Sequence, residues 1–159
     1  MAFAYTLPLR AVQGVLALII LGLVAYIINA YDGPYDYGFS PDCVNYYLFC
    51  SIWTLLALAY LILAPLYFAR LAHKFAVLAV ETLTMIFWFA GWIAMAAFWG
   101  DIRCGSKGGP CGAGTAAIVF GVVEWLTFLA TTVMAALYIR DTGRHNSKHD
   151  PAMEVHAGV

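Results

Sequence analysis

Four long apolar segments make up most of this chain and limit the folds that it can adopt. They cover residues of about 11–31, 44–68, 75–99 and 115–139. Each is long enough to cross a bilayer core of about 30 Å as an α-helix, which takes roughly 20 residues. Helices are required, because an unpaired backbone group in lipid costs several kcal/mol. The sequence therefore predicts an all-α fold with four transmembrane helices.

The composition agrees with this prediction. Of the 159 residues, 64% are apolar and 11% are charged, whereas a typical soluble domain has roughly 45–50% apolar and about 25% charged residues. A soluble domain this short could not bury so much apolar surface. The net charge of −1 provides no basic footprint for nucleic acid, so we expect none as a partner.

The links between the four segments are short, which predicts antiparallel neighbours in an up-down bundle. We assign residues 1–140 to this transmembrane domain and residues 141–159 to a polar cytosolic tail. The first apolar run is longer than the core of a cleavable signal, which has roughly 7–15 residues. We expect it to remain as a helix.

The distribution of Lys and Arg predicts that both ends of the chain lie in the cytosol, where these residues accumulate. In this orientation only Arg103 and Lys107 fall in outer loops. The other six basic residues fall on the inner side: Arg10, Arg70, Lys74, Arg140, Arg144 and Lys148. Tyrosines, Tyr46 and Tyr47 among them, cluster around the first outer loop, as amphipathic rings do at a membrane interface.

Two of the four cysteines, Cys104 and Cys111, share the second outer loop. Disulfides persist on the oxidising side of a membrane, and the glycines and proline between the two residues favour a tight turn. We therefore predict a Cys104–Cys111 bridge. Cys43 and Cys50 are separated by about 10.5 Å of helix rise, too far for a bridge. Pairing of Cys43 with a loop cysteine, or two free loop thiols, are the alternatives.

Two carboxylates, Glu81 and Glu124, fall inside the predicted third and fourth helices. An ionisable residue within a membrane is costly and is therefore a candidate for function. Glu81 is predicted to pair with Arg10 or to be held protonated against Gln13, and a proton-coupled site is the alternative. Glu124 differs from it in depth by about 13 Å, at 1.5 Å per residue, and has no obvious basic partner. We expect it to be uncharged, because burial disfavours the ionised form.

Small residues recur at helical spacing and are predicted to let helices approach closely, within the bundle or between protomers. These candidate packing residues are Ala113, Ala117 and Gly121 in the fourth helix, with Ala90 and Ala94 in the third. No catalytic pattern accompanies them: we find no glycine-rich phosphate loop, no metal-spaced His and Cys set and no serine nucleophile elbow. The sequence thus predicts neither an enzyme nor a bound cofactor or metal.

Several features together resemble a known family. They are Arg10 in the first helix, the run from Glu81 through Phe-Trp-Phe-Ala to Phe98, a glycine loop with paired cysteines, and Ala-Ala-Ile-Val-Phe-Gly-Val-Val before Glu124 and Trp125. Over residues of about 5–140, this pattern resembles the MARVEL-domain proteins, especially the small fungal members of the non-classical export protein type.

The resemblance implies a membrane module that organises plasma-membrane microdomains and is linked to membrane trafficking. It implies lipid partners, with sphingolipid or sterol among them, as well as other membrane proteins and further copies of the chain. The third-helix acid of the family corresponds to Glu81 and the first-helix base to Arg10. From the residues themselves, a small proton-coupled exporter or channel that uses Glu81 or Glu124 remains the alternative function.

Overall fold

The computed structural model describes residues 3–31, 40–67, 74–102 and 108–146, with side chains over 7–31, 40–63, 75–102 and 108–141. Nearly all of these residues lie in four α-helices: α1 (Phe3–Tyr31), α2 (Asp42–Tyr67), α3 (Lys74–Asp101) and α4 (Gly109–Asn146). No strand occurs in the described ranges. The predicted all-α class is confirmed.

Two helices extend further than their apolar segments. α1 begins at Phe3 rather than near residue 11, so Arg10 lies inside the helix and not at its start. α4 begins at Gly109 rather than near residue 115, and it continues to Asn146. Gly109 has a φ of 63°, which glycine adopts without strain, and Pro110 then suits the first helical turn. The last turns of α4 consist of polar residues, because backbone hydrogen bonds do not require apolar side chains. An apolar run therefore locates the part of a helix that faces lipid but not the ends of the helix.

The helices form a ring in which each contacts two neighbours. α1 packs against α2 and α4, and α3 packs against the same two helices. The backbones of the diagonal pairs, α1 with α3 and α2 with α4, do not come close in the described part of the chain. This arrangement confirms the predicted four-helix bundle.

Buried residues recur along α1 and α4 at alternating steps of three and four. In α1 they are Gln13, Ala17, Ile20, Val24 and Ile27, and in α4 they are Gly114, Ala117, Gly121, Glu124, Phe128 and Thr131. An average step of about 3.5 residues keeps one side of each helix toward its partners when the helices coil around each other with a left hand.

The outer surface of the bundle is apolar, unlike that of a soluble protein. Large apolar side chains cover the outside, and Leu7, Leu56 and Leu137 are each more than half exposed. The core is mainly apolar too, but seven of the described polar or charged residues are buried in it: Gln13, Ser51, Thr54, Glu81, Thr84, Glu124 and Thr131. All four helices are long and apolar enough to cross a membrane. An apolar surface this extensive is suited to contact with lipid rather than water.

Candidate functional site

An ion pair joins α1 to α3 near one end of the bundle, which we call the Arg10 end. Arg10 Nη2 contacts Glu81 Oε1. The Glu81 side chain is 1% exposed and the Arg10 side chain is 12% exposed, so the carboxylate lies inside the core while the guanidinium reaches toward its end. The structure thus brings together the two residues for which the sequence predicted an ion pair.

Two further side chains complete what we call the Glu81 cluster: Arg10, Gln13, Glu81 and Thr131. Arg10 Nη1 donates a hydrogen bond to Gln13 Oε1 at 3.0 Å. The Thr131 hydroxyl lies 2.6 Å from Glu81 Oε2 and 3.1 Å from the Phe128 carbonyl oxygen. A hydroxyl has one proton to donate, and a bond to a carboxylate is the stronger of the two. Thr131 therefore binds Glu81 and ties α4 to the ion pair.

Glu124 lies apart from this cluster. Seven residues of α4 separate it from Thr131, which is about 10.5 Å along the helix at 1.5 Å per residue. Glu124 is fully buried. Neither of its carboxyl oxygens has a hydrogen-bond partner among the residues that the structure describes. The two intramembrane acids are therefore separate sites and not a carboxylate pair.

Tyr47 of α2 crosses the core toward α4. Its ring is fully buried and meets Trp88 edge-on, with 5.5 Å between the ring centroids and 88° between the planes. Its hydroxyl lies against Gly121, where a Cβ atom would collide with it. A Cβ at Gly91 would lie 3.2 Å from the same ring. The sequence interpretation of Tyr47 as an interface residue was wrong, because glycines on two other helices make room for the ring inside.

Two reciprocal hydrogen bonds join α2 to α3, and the sequence pattern predicted neither of them. Trp53 of α2 donates from Nε1 to the Thr84 hydroxyl of α3 at 3.0 Å, and Trp88 of α3 donates to the Thr54 hydroxyl of α2 at 2.9 Å. Each threonine in turn donates to the carbonyl oxygen four residues earlier in its own helix, at 2.8 Å. Threonine commonly makes this local bond in helices, which is why its second role was not evident.

The predicted packing residues divide into two groups. Ala117 and Gly121 are buried in the core, and Ala113 is partly buried beside them. Ala90 and Ala94 lie on the exposed side of α3. They face away from the core, so the close contact that the sequence suggested for them requires a second chain. That contact stays a prediction.

The cysteines also fall into two groups. Cys43 and Cys50 are free thiols, whereas Cys111 is disulfide-bonded. Cys43 is therefore not its partner. Cys104 lies outside the described residues, and so the Cys104–Cys111 pairing itself stays a prediction.

The orientation of the chain in the membrane also stays a prediction. The side chains of Arg70 and Lys74, on which it partly rests, lie outside the described part.

The chemistry that this site supplies is limited to one ion pair and one isolated carboxyl. Within the described ranges, no group of three His, Cys, Asp or Glu side chains is placed to hold a metal ion. On the described helices, many of the side chains that partners can reach are large and apolar.

Comparison with known proteins gives one match. A family model described as MARVEL, a membrane-associating domain, covers residues 3–134. No curated protein and no solved structure matches the chain. The matched range includes α1, α2 and α3, and it includes α4 as far as Met134, so it contains the whole Glu81 cluster.

Proposed function

The chain belongs to the MARVEL family of membrane-associating domains and is an integral, multi-pass membrane protein, and from this premise we propose that it organises membranes laterally. The proposed role is non-enzymatic. In this proposal the protein acts in plasma-membrane microdomains and is linked to membrane trafficking, as the resemblance to the fungal non-classical export type implies.

One observation carries this proposal: the polar groups of the bundle point inward and its outer surface is apolar. Glu81, Glu124 and the buried hydroxyls are all enclosed by the four helices. The surface left for recognition consists of apolar side chains that lipids and other helices can contact. A protein of this kind acts through what packs against it.

The outer side of α3 is the surface that we assign to further copies of the chain. Ala90 and Ala94 are exposed there, next to the exposed Phe89 and Ile93. Small residues beside bulky ones allow a second helix to approach closely and pack. Lipids, with sphingolipid or sterol among them, and other membrane proteins would contact the remaining outer surface.

Native mass spectrometry in lipid nanodiscs tests this surface. Ala90→Leu with Ala94→Leu should reduce the oligomer of the wild-type protein to monomers, because two larger side chains separate the helices. Ala25→Leu with Ala59→Leu is the matched control, since these alanines are exposed on α1 and α2. A monomeric wild-type protein, or an oligomer unchanged by the α3 substitutions, would contradict the assignment.

A small proton-coupled exporter is the second candidate, and the isolation of Glu124 is the observation that favours it. Glu81 is held by Arg10 and Thr131, so Glu124 is the acid free to serve such a cycle. A proton-linked flux in liposomes that disappears in a stably folded Glu124→Gln protein would support the exporter. A wild-type protein without any such flux would reject it.

A further inference from the structure

The Glu124 carboxyl has no interaction that accounts for its burial. It is 0% exposed, and both of its oxygens lack a hydrogen-bond partner in the described part of the chain. A buried polar group without a partner is destabilising, and an isolated buried charge is far more so. A carboxyl group in this position is therefore a candidate for binding a ligand or for a function other than packing.

A second orphan group lies one helical turn away. The Tyr47 hydroxyl is buried and also lacks a hydrogen-bond partner among the described residues, and it rests against Gly121. Gly121 precedes Glu124 by three residues, on the same buried side of α4. Long side chains in helices lean toward the preceding turn, so the turn that holds Gly121, against which the Tyr47 hydroxyl lies, is the turn that the Glu124 side chain favours.

Among the residues whose side chains the structure describes, no counter-charge lies at the level of Glu124. Glu81 of α3 contacts Thr131 of α4. Because these two helices are antiparallel, a step of seven residues along each of them places Trp88 of α3 opposite Glu124 of α4. α1 offers the apolar Ile20 and Val24 at this depth.

α2 offers Tyr47 and Cys50, and the Cys50 thiol donates to the Phe87 carbonyl oxygen at 3.7 Å. The other buried charges, Arg10 and Glu81, pair with each other. They lie about 10.5 Å away along the bundle, at 1.5 Å per residue.

We propose that Glu124 and Tyr47 form a buried proton-binding site between α4 and α2. The Glu124 carboxyl binds a proton from bulk water and releases it again. The two groups are not hydrogen-bonded in the structure; when the carboxyl ionises, the Tyr47 hydroxyl turns to donate a hydrogen bond to it and so offsets part of the cost of burying that charge. A proton is the ligand that this site fits, because a metal cation needs several oxygen ligands and, among the described residues, these two side chains are the orphan oxygen groups on this side of α4 near Gly121. The site goes beyond the proposed membrane-organising function and does not require transport.

Infrared difference spectroscopy of the full protein in lipid, recorded between acidic and alkaline pH, tests the site. The carbonyl band of a protonated carboxylic acid should be present at low pH and diminish as the pH is raised. Because the other carboxyl groups also take up protons at low pH, Glu124 is identified by difference: one component of the band should be missing in Glu124→Gln and retained in Asp141→Asn, which removes an exposed carboxyl from the same helix. Tyr47→Phe should shift the pH at which half of the Glu124 component is lost by about one unit or more, as expected when a hydrogen bond to a charged group is removed.

Three results would overturn the proposal. The first is a band that persists at every pH at which the protein stays folded, since Glu124 would then be a permanently protonated structural group. The second is a band whose components all survive in Glu124→Gln, or a Glu124 component whose midpoint pH is unchanged in Tyr47→Phe. The third is a band altered by sodium at constant pH, which would assign the site to a metal cation. Thermal unfolding of each variant verifies that it is folded, and the wild-type and Glu124→Gln spectra test the acid even if Tyr47→Phe is unstable.

Discussion

Removal of either partner of the Arg10–Glu81 ion pair should destabilise the bundle, and removal of both should cost less than the sum. Arg10→Ala leaves a carboxylate that is 1% exposed, with the Thr131 hydroxyl as its remaining partner. Glu81→Ala leaves a guanidinium that is 12% exposed and that can extend toward the Arg10 end of the bundle. The loss of Arg10 should therefore be the more damaging change.

The magnitudes follow from these contacts. Breaking a buried ion pair by removing one partner costs about 3–5 kcal/mol, and we expect Arg10→Ala to lie in that range. Glu81→Ala should cost about 2–4 kcal/mol, because the remaining charge is only partly desolvated and can reach water. The coupling free energy between the two positions should be about 1–3 kcal/mol, as for other residues in direct contact.

A double-mutant cycle on the free energy of unfolding in lipid bicelles measures this coupling. The four proteins are the wild type, Arg10→Ala, Glu81→Ala and the double variant, with Glu81→Gln as a size-matched neutral control. Glu81→Gln should be less destabilising than Glu81→Ala, because the amide oxygen can still accept from Thr131. Strict additivity of the two single losses would refute the ion pair as a source of stability.

Three further predictions concern packing, the outer loop and orientation. Gly121→Leu should destabilise the bundle by about 1–3 kcal/mol or more, because its side chain would collide with Tyr47. Gly22→Leu is the control, since a Cβ atom at Gly22 would have no other atom within 4 Å. Equal losses of stability in the two variants would refute the close contact. Cys104 and Cys111 should resist alkylation until reduced, and Cys111→Ser should expose the Cys104 thiol; a Cys104 that stays blocked would have another partner. A protease-sensitive tag at the C-terminal end should be protected in intact cells and one in the first outer loop cleaved, and the opposite pattern would reverse the orientation.

The existence of the four helices could be predicted from sequence, whereas their ends could not. Lipid sets a minimum length for an apolar run, and that constraint acts on each segment alone. The additional turns of α1 contain Pro8 and Arg10, and those of α4 run through polar residues to Asn146, so neither extension belongs to a continuous apolar run. Hydrogen bonds within the backbone continue a helix past the apolar segment.

The candidate site could be predicted only where depth along one helix was informative. Arg10 and Glu81 fall near the same end of two helices, and a buried acid seeks a base, so their pairing followed. The position of Tyr47 depended on Gly121 and Gly91, which lie on two other helices. Spacing within a single helix does not reveal which side chain of a neighbour fills the space above a glycine, and the Trp53–Thr84 bond was hidden for the same reason.

Lateral organisation of the membrane is tested most directly in giant vesicles that separate into an ordered sphingolipid–sterol phase and a disordered phase. The labelled protein should concentrate in one phase and diffuse as clusters whose size grows with its surface density. Ala90→Leu with Ala94→Leu should disperse these clusters, and Ala25→Leu with Ala59→Leu should not. A wild-type protein that spreads evenly over both phases and diffuses as a monomer at every density would contradict the proposed function.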